Sequence, residues 1–156
     1  METTIAQRRG VAAVWICVAL TFALHAASYL LNTQLPLHLL TLGGSKAQIG
    51  WLFGVTTLVG LVLRPQVGGW TDRYGARAVM LPGAGAMVLT TLALPLAGSP
   101  VAVIALMIGL GVGNALISTT GSIVVANESP GDRRGEWLSL FYVFSSAGVA
   151  LGPPLG

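Results

Sequence analysis

The stretch Gly68-Gly69-Trp70-Thr71-Asp72-Arg73-Tyr74-Gly75-Ala76-Arg77 decides the fold of this chain, because it is a charged segment between two long apolar runs. A charged, glycine-rich turn cannot lie exposed in hydrocarbon, where no water is available to satisfy its polar groups. The stretch therefore predicts the point at which the chain leaves a membrane between two spanning helices.

The composition outside this turn predicts an all-α, polytopic membrane protein. Hydrophobic residues make up 54% of the chain and charged residues 8%, whereas soluble domains carry roughly 25% charged residues. Residues 10–45 and 78–127 contain no Asp, Glu, Lys or Arg. A soluble domain could not solvate its surface with these residues, so the composition excludes one.

The net charge of +3 does not indicate a nucleic-acid partner. The basic residues lie in short segments between apolar runs, without the basic face or interleaved aromatic residues that bind bases. The single cysteine, Cys17, excludes an intramolecular disulfide. The spans contain no carboxylate pair, metal-ligand cluster or Ser-His arrangement. We therefore expect no enzymatic activity, no metal site and no cofactor.

Five segments are apolar enough to cross a bilayer, which needs about 20 residues in helix. We expect Pro36 and the turn 43–45 to end the first segment, since proline disrupts a helix interior. Ser45 and Gln48 have the spacing of a capping box that starts the second. The predicted spans are residues 11–35, 48–67, 78–96, 101–126 and 137–156.

The distribution of basic residues predicts the orientation of these spans. Only Lys46 falls on one side of the predicted membrane, and the other side holds Arg8, Arg9, Arg73, Arg77, Arg133 and Arg134. Loops rich in Lys and Arg stay on the cytoplasmic side. We therefore expect a cytoplasmic N-terminus.

The charged turn resembles a loop known from one family of membrane proteins. It follows the pattern glycine, three residues, aspartate, a basic residue, any residue, glycine and two basic positions, except that alanine occupies the first basic position. The matching residues are Gly68, Asp72, Arg73, Gly75 and Arg77. This pattern resembles the loop between the second and third helices of major facilitator superfamily transporters.

Two further segments bear on this resemblance. Gly148, Gly152 and Pro153 resemble the fifth-helix motif of the drug:proton antiporters, a branch of the superfamily. Gly111 and Gly113 match the glycines of the fourth-helix motif. The arginine of that motif, which is implicated in proton coupling, is replaced by Met107.

The resemblance implies most of the N-terminal six-helix half of a major facilitator fold, within an expected total of twelve helices. It implies secondary active transport of a small organic solute by alternating access, as proton-coupled efflux in the antiporter branch. The expected partners are the lipid bilayer, the solute and the missing C-terminal half of the same protein. The expected location is a bacterial cytoplasmic (inner) membrane. The alternative is a non-transporting remnant, or a small helical membrane protein that acts only with a partner chain.

The resemblance also implies a gate at the cytoplasmic end of the helices. Asp72, Arg77 and Glu128 would form a charge cluster that latches this gate, and Pro153 beside glycines would let the fifth helix flex. A solvated loop that merely obeys the charge rule is the alternative. The candidate gating residues are Gly68, Asp72, Arg73, Gly75, Arg77, Glu128, Gly148, Gly152 and Pro153.

Polar residues recur along one face of two predicted spans. Their spacing, at about 100° per residue, places them in narrow stripes, and polar groups within spans tend to face a cavity or a partner. In the superfamily the first and fourth helices line the central cavity, which implies substrate binding. Hydrogen bonds between helices are the alternative. The stripe of the first span consists of Thr21, His25, Ser28 and Asn32, with Tyr29 beside it, and that of the fourth span consists of Asn114, Ser118, Gly121 and Ser122. The candidate substrate-cavity residues in these two spans are the polar members of the stripes together with Tyr29.

Two ionisable residues within the spans have alternative interpretations. His25 could carry a proton, since the unperturbed pKa of histidine lies near neutrality, or it could hydrogen-bond a neighbouring helix. Arg64 precedes Pro65 in the second span. Its side chain could reach the headgroups, or it could contact an anion in a cavity.

Overall fold

The computed structural model describes residues 2–129 and 133–155, with the side chains of 2–9, 12–13, 31–33 and 152–155 left out of the description. The described residues are almost entirely helical, which confirms the predicted all-α class. A short 3-10 turn, Leu94–Leu96, follows the third helix. The α-helices are α1 (Glu2–Thr41), α2 (Lys46–Tyr74), α3 (Ala76–Ala93), α4 (Pro100–Glu128) and α5 (Arg134–Leu155).

Four stretches within these helices are long and apolar enough to cross a membrane: Val14–Thr41, Lys46–Tyr74, Ala76–Leu96 and Pro100–Glu128. They coincide with the first four predicted spans, although the helices extend past the predicted ends. The fifth predicted segment is helical as α5. That α5 also crosses the membrane remains a prediction.

The predicted end of the first helix at the turn 43–45 is confirmed, whereas the predicted contribution of Pro36 to that end is wrong. α1 continues through Pro36 to Thr41, because the single amide hydrogen that proline lacks does not prevent the following residues from staying helical. The helix ends at Gly43, whose φ of 79° is a left-handed conformation. The Gly43 amide bonds the Leu40 carbonyl at 3.0 Å, and the Gly44 amide bonds the Leu39 carbonyl at 2.9 Å. This pair of bonds is the Schellman termination of a helix.

The capping box at the start of α2 is confirmed. The Gln48 amide donates to Ser45 Oγ at 3.3 Å, and the Ser45 amide donates to Gln48 Oε1 at 2.8 Å. Two backbone donors that no helical carbonyl can reach are thereby satisfied.

The turn within the charged segment 68–77 is shorter than the sequence predicts. α2 continues through the glycines to Tyr74, and α3 begins at Ala76, so Gly75 alone separates the two helices. The backbone at Gly75 has φ 85° and ψ 153°, a conformation that essentially only glycine adopts. Charged residues can remain helical once the helix leaves hydrocarbon, so the polar sequence does not end α2.

α4 is the central helix of the bundle. It contacts α2 and α3 on one side, and α1 and α5 on the other, while α1 and α5 also pack against each other. In its most apolar stretch α4 is 44% buried by the protein, whereas α2 is only 6% buried. α2 therefore touches the rest of the chain along one narrow face, and that face positions the candidate site.

Candidate substrate cavity and gate

A cavity of about 250 Å³ opens between α1, α2 and α4. It brings together three residues that the sequence singled out on three different helices: Tyr29, Arg64 and Asn114. The lining is completed by Thr56, Thr57, Gly60 and Leu61 of α2, and by Gly111 and Ala115 of α4. We call this space the α2–α4 cavity.

Arg64 supplies the positive charge of the cavity, and it has no acidic partner there. Its side chain is exposed. In the part of the chain that the structure describes, the one ion pair joins Arg133 to Glu136, at 2.7 Å, beyond the spans. The guanidinium is therefore free to contact an anion, as one of the two sequence interpretations of Arg64 required.

The hydrogen-bonding groups around Arg64 divide into donors and acceptors. Thr56 Oγ1 donates to the Leu52 carbonyl and Thr57 Oγ1 to the Phe53 carbonyl, both at 2.9 Å. Because each hydroxyl has one proton, only their lone pairs remain for a further bond. Pro65 lacks an amide hydrogen, so the Leu61 carbonyl also loses its usual helical donor.

Asn114 adds further hydrogen-bonding capacity on the α4 side. It is half-buried and lines the cavity. An amide side chain offers two N–H donors and one carbonyl acceptor. The cavity can thus donate hydrogen bonds from Arg64 and Asn114 and accept them from the threonines of α2.

Two close contacts between α2 and α4 bound this cavity along the helices. At one end, a Cβ added to Gly111 would lie 3.1 Å from the Thr56 carbonyl oxygen. At the other end, Thr71 Oγ1 and Thr120 Oγ1 lie 3.0 Å apart and buried. Between them no atom lies within 4 Å of a Cβ added to Gly60. The helices are therefore held together above and below a stretch that stays open.

The polar residues of α1 lie in different environments. Thr21 is fully buried, and a Cβ added to Gly121 would lie 3.3 Å from its Oγ1 and 3.1 Å from the Phe141 ring. Ser28 is also buried. These two residues lie inside the bundle, whereas Tyr29 lines the cavity. The side chain of Asn32 lies outside the described residues.

His25 lies on the α5 side of α1 rather than at the cavity. Its Nδ1 is 2.8 Å from the Thr21 carbonyl of the same helix. A Cβ added to Gly148 would lie 3.4 Å from His25 Cβ and 2.7 Å from the Phe22 carbonyl. Gly148 is thus the point where α1 and α5 approach too closely for any side chain. Among the described residues, this is the hydrogen bond that the structure shows for His25, and it stays within α1.

The polar residues of α4 also lie in different environments. Asn114 lines the cavity, but Ser118 Oγ is buried without a hydrogen-bond partner among the described residues. Ser122 Oγ donates to the Thr119 carbonyl at 2.8 Å. Asn114 is therefore the one member of this predicted stripe that reaches the cavity.

The candidate gating residues of α2 and α3 lie on the outside of the bundle. Asp72, Arg73 and Arg77 are exposed, and the Arg73 guanidinium lies 5.5 Å from the centre of the Tyr74 ring. Among the described residues no ion pair joins Asp72, Arg77 and Glu128. Glu128 lies instead beside α1, where a Cβ added to Gly10 would be 3.0 Å from its carboxylate. The predicted charge cluster of Asp72, Arg77 and Glu128 therefore stays a prediction.

Gly68 lies within α2, and Gly152 and Pro153 lie within α5. The side chain of Pro153 lies outside the described residues, so its predicted flexing role stays a prediction.

The comparisons with known proteins agree with this architecture. The family model described as "Major Facilitator Superfamily" matches residues 17–156. The chain belongs to the Major Facilitator Superfamily. No solved structure matches this chain.

Several curated relatives are named as transporters of this superfamily. The uncharacterised transporter YitZ of Bacillus subtilis is 28% identical over 71% of this chain and 70% of its own length. The 3-(3-hydroxy-phenyl)propionate transporter of Escherichia coli is 37% identical over 71% of this chain and 28% of its own. The uncharacterised transporter YuxJ of Bacillus subtilis is 30% identical over 92% of this chain and 38% of its own length. The chain therefore spans well under half of the last two relatives.

Met107, which replaces the arginine of the fourth-helix motif, lies in a nonpolar environment. Met107 is 1% exposed and belongs to a core cluster with Leu35, Leu52 and Leu110. An arginine at this position in the present packing would bury an unpaired charge. Arg64 is the cationic residue that the structure places at a cavity instead.

Sequence reasoning missed the contact between Thr71 and Thr120. This contact joins the charged turn to the central helix α4. Thr71 Oγ1 donates to the Val67 carbonyl at 2.8 Å. Because its only proton is used there, Thr120 is the donor in the hydroxyl pair. Thr71 lies within the charged turn, and Thr120 lies beside the predicted polar stripe of α4, so neither position indicated a contact. Only the pairing of α2 with α4 reveals their contact.

Proposed function

We propose that this chain is the N-terminal part of a secondary active transporter that moves a small organic solute by alternating access. The observation that carries this proposal is the α2–α4 cavity, where an arginine without an acidic partner lies within a membrane-spanning helix. Ionisable residues within spans are costly and usually belong to a transport pathway. The relatives named as transporters support the same activity.

The transport site is completed by a second half of the same protein. Transporter folds of this kind bind their solute between two repeated halves near the middle of the membrane. The α2–α4 cavity supplies one wall of such a site. The small share of the longer relatives that this chain covers supports a continuation. The alternative, a non-transporting remnant or a protein that acts only with a partner chain, is not favoured, because the relatives are named as transporters.

The direction of transport is export, coupled to proton entry, with the N-terminus in the cytoplasm of a bacterial cell. The arginine distribution supports this orientation, and the resemblance of the fifth helix to antiporters supports the direction. The solute is a small organic molecule, as in the relative named for 3-(3-hydroxy-phenyl)propionate. His25 is the candidate proton carrier, since it is a half-buried histidine within a span.

The experiment that tests transport uses the full-length gene product in proteoliposomes. An imposed pH gradient drives an antiporter to accumulate its solute, so we expect accumulation of small aromatic acids or bases that a proton ionophore abolishes. Absence of accumulation for every solute tested, with a correctly inserted protein, would contradict the proposal.

Asp72 is the gate residue with the largest expected effect. It is exposed at the end of α2, where it can accept hydrogen bonds from a helix N-terminus of the second half. Charge-assisted hydrogen bonds contribute about 1.5–3 kcal/mol. We therefore expect Asp72→Asn to lower the transport rate of the full-length protein roughly tenfold or more, with unchanged membrane insertion.

Glu136→Gln is the matched control for this variant, because Glu136 is an exposed carboxylate that pairs locally with Arg133. We expect its transport rate to match that of the wild type. A wild-type rate in Asp72→Asn would remove Asp72 from the gate.

A further inference from the structure

The sequence leaves Arg64 without a counter-ion inside the spans, and this determines what the cavity can bind. The acidic residues of the chain are Glu2, Asp72, Glu128, Asp132 and Glu136, and none lies between residues 3 and 71 or between 73 and 127. Ionisable side chains within membrane spans usually face a partner or a transport pathway. Since the spans hold no acidic residue, an anion that meets Arg64 within them comes from outside residues 1–156.

The geometry of the guanidinium favours a carboxylate as that anion. Arginine presents its N–H groups in a planar fork that matches the two oxygens of a carboxylate. Asn114 lines the same cavity from α4, and its amide adds N–H donors. These two side chains supply N–H donors to the cavity.

The threonines of α2 supply hydrogen-bond acceptors to the cavity. Thr56 and Thr57 have already donated their protons to backbone carbonyls, so their hydroxyls can only accept. The Leu61 carbonyl, which lacks the helical donor at Pro65, also lines the cavity. A ligand that satisfies both the donors and the acceptors needs an anionic group and a separate hydrogen-bond donor, such as a hydroxyl.

The volume of the cavity is compatible with a small ligand. It is about 250 Å³, below the roughly 300–1,000 Å³ of typical ligand pockets. A molecule with one ring or a short carbon chain therefore fits against this wall of the proposed transport site.

Resting on the proposed transport function, we propose that the α2–α4 cavity is a subsite for a small hydroxylated organic carboxylate. Its carboxylate binds Arg64 and Asn114, and its hydroxyl donates to Thr56 or Thr57. The cavity thereby selects organic acids over neutral and cationic solutes.

The test uses four probes that separate charge from hydroxyl: 4-hydroxybenzoate, benzoate, 4-hydroxybenzamide and benzamide. Binding to the purified full-length protein is measured from the concentration dependence of its thermal unfolding midpoint, since a ligand that binds only the folded state raises it. We expect both carboxylates to stabilise the protein and 4-hydroxybenzoate to bind more tightly. Both amides should bind at least about tenfold more weakly than their acids.

Arg64→Gln tests whether that selectivity belongs to this cavity. We expect it to weaken carboxylate binding at least about tenfold, with Arg64→Lys in between because it keeps the charge and loses the planar fork. Lys46→Gln is the matched control, since it removes an exposed positive charge at the other end of α2. We expect this control to bind as the wild type does.

Three results would overturn the assignment: equal binding of acids and amides, no carboxylate binding, or wild-type carboxylate affinity in Arg64→Gln. The first and second need no variant, so a folding defect in Arg64→Gln leaves the proposal falsifiable. If Arg64 instead pairs with an acid of the second half, Arg64→Gln lowers the unfolding midpoint without changing the preference for acids. That result also overturns the proposal.

Transport measured in parallel separates this inference from the proposed function. Accumulation of a neutral or cationic solute, without carboxylate binding, retains the transporter and overturns the anion subsite. Carboxylate binding that depends on Arg64, with no transport of any solute, supports the subsite and overturns the proposed function.

Discussion

The α2–α4 interface is closed at the turn to α3 and open around Arg64, only about 10 Å farther along α2. At the closed part, Val67 and Thr120 are fully buried and Thr71 nearly so. At the open part, Gly60 meets no atom within 4 Å and Arg64 is exposed. The same two helices line both parts, and their side chains differ between the closed part and the open part.

The closed part is built from small and β-branched side chains that fill the space between two backbones. Hydrogen bonds between helices add to this packing, because apolar area alone does not drive helices together in lipid. The open part combines a glycine that meets no neighbouring atom with the long, exposed cation of Arg64. A membrane protein can thus place a binding surface beside a rigid contact on the same pair of helices.

Among the substitutions that test this comparison, we expect Gly75→Ala, at the end of the closed part, to lower stability most. The Gly75 amide bonds the Thr71 carbonyl at 2.9 Å while its φ is 85°. A side chain in this backbone region costs about 3 kcal/mol. We expect a clear fall in the thermal unfolding midpoint of the full-length protein.

Gly69→Ala is the control for Gly75→Ala. Gly69 lies inside α2 and meets no atom within 4 Å, so alanine there should leave stability unchanged or raise it by up to about 1 kcal/mol. Equal effects of the two substitutions would show that the conformation of Gly75 does not hold the turn.

A smaller effect is expected from Gly111→Ala, at the other close contact that bounds the cavity. The added methyl group would lie 3.1 Å from the Thr56 carbonyl oxygen and 3.3 Å from Val59 Cβ. We expect a loss of about 1–2 kcal/mol in the free energy of unfolding, typical of modest overpacking. Detergent titration of the purified protein measures this loss.

Gly60→Ala provides the comparison across the same interface. Its methyl group enters the open part, so we expect unchanged stability. A loss of stability equal to that of Gly111→Ala would mean that the interface closes over the cavity in solution.

The smallest effect is expected from Thr120→Val, which removes a hydroxyl but keeps the shape of the side chain. Hydrogen bonds between membrane helices average about 0.6 kcal/mol in double-mutant cycles. We expect a coupling energy of this size between Thr120→Val and Thr71→Val. Strictly additive effects of the two substitutions would show that the 3.0 Å contact does not stabilise the closed part.

The positions of the helices were predictable because hydropathy is a local property of the chain. Apolar runs with few or no charges located four spans, and the spacing of Ser45 and Gln48 predicted a capping box that the structure contains. Pro36 misled the prediction, because a proline lowers the stability of a helix locally while the residues around it can still hold it. Gly43, not Pro36, ends α1.

The candidate site was only partly predictable. Periodicity placed Tyr29 near a polar stripe and Asn114 within another, but it could not show that Thr21 faces α4 and α5. Residues on one helix share a face by angle alone, whereas their surroundings depend on which neighbour covers that face. For the same reason the sequence could not choose between lipid headgroups and a cavity for Arg64.

The sequence by itself determined that this chain is a helical membrane protein of the Major Facilitator Superfamily, since apolar runs and short charged motifs are read along the chain. Tertiary structure alone decided that Arg64, Asn114 and Tyr29 meet in one cavity and that Thr71 meets Thr120. These contacts join helices far apart in sequence. They depend on how closely two backbones approach, which glycines and small side chains determine only once the helices are packed.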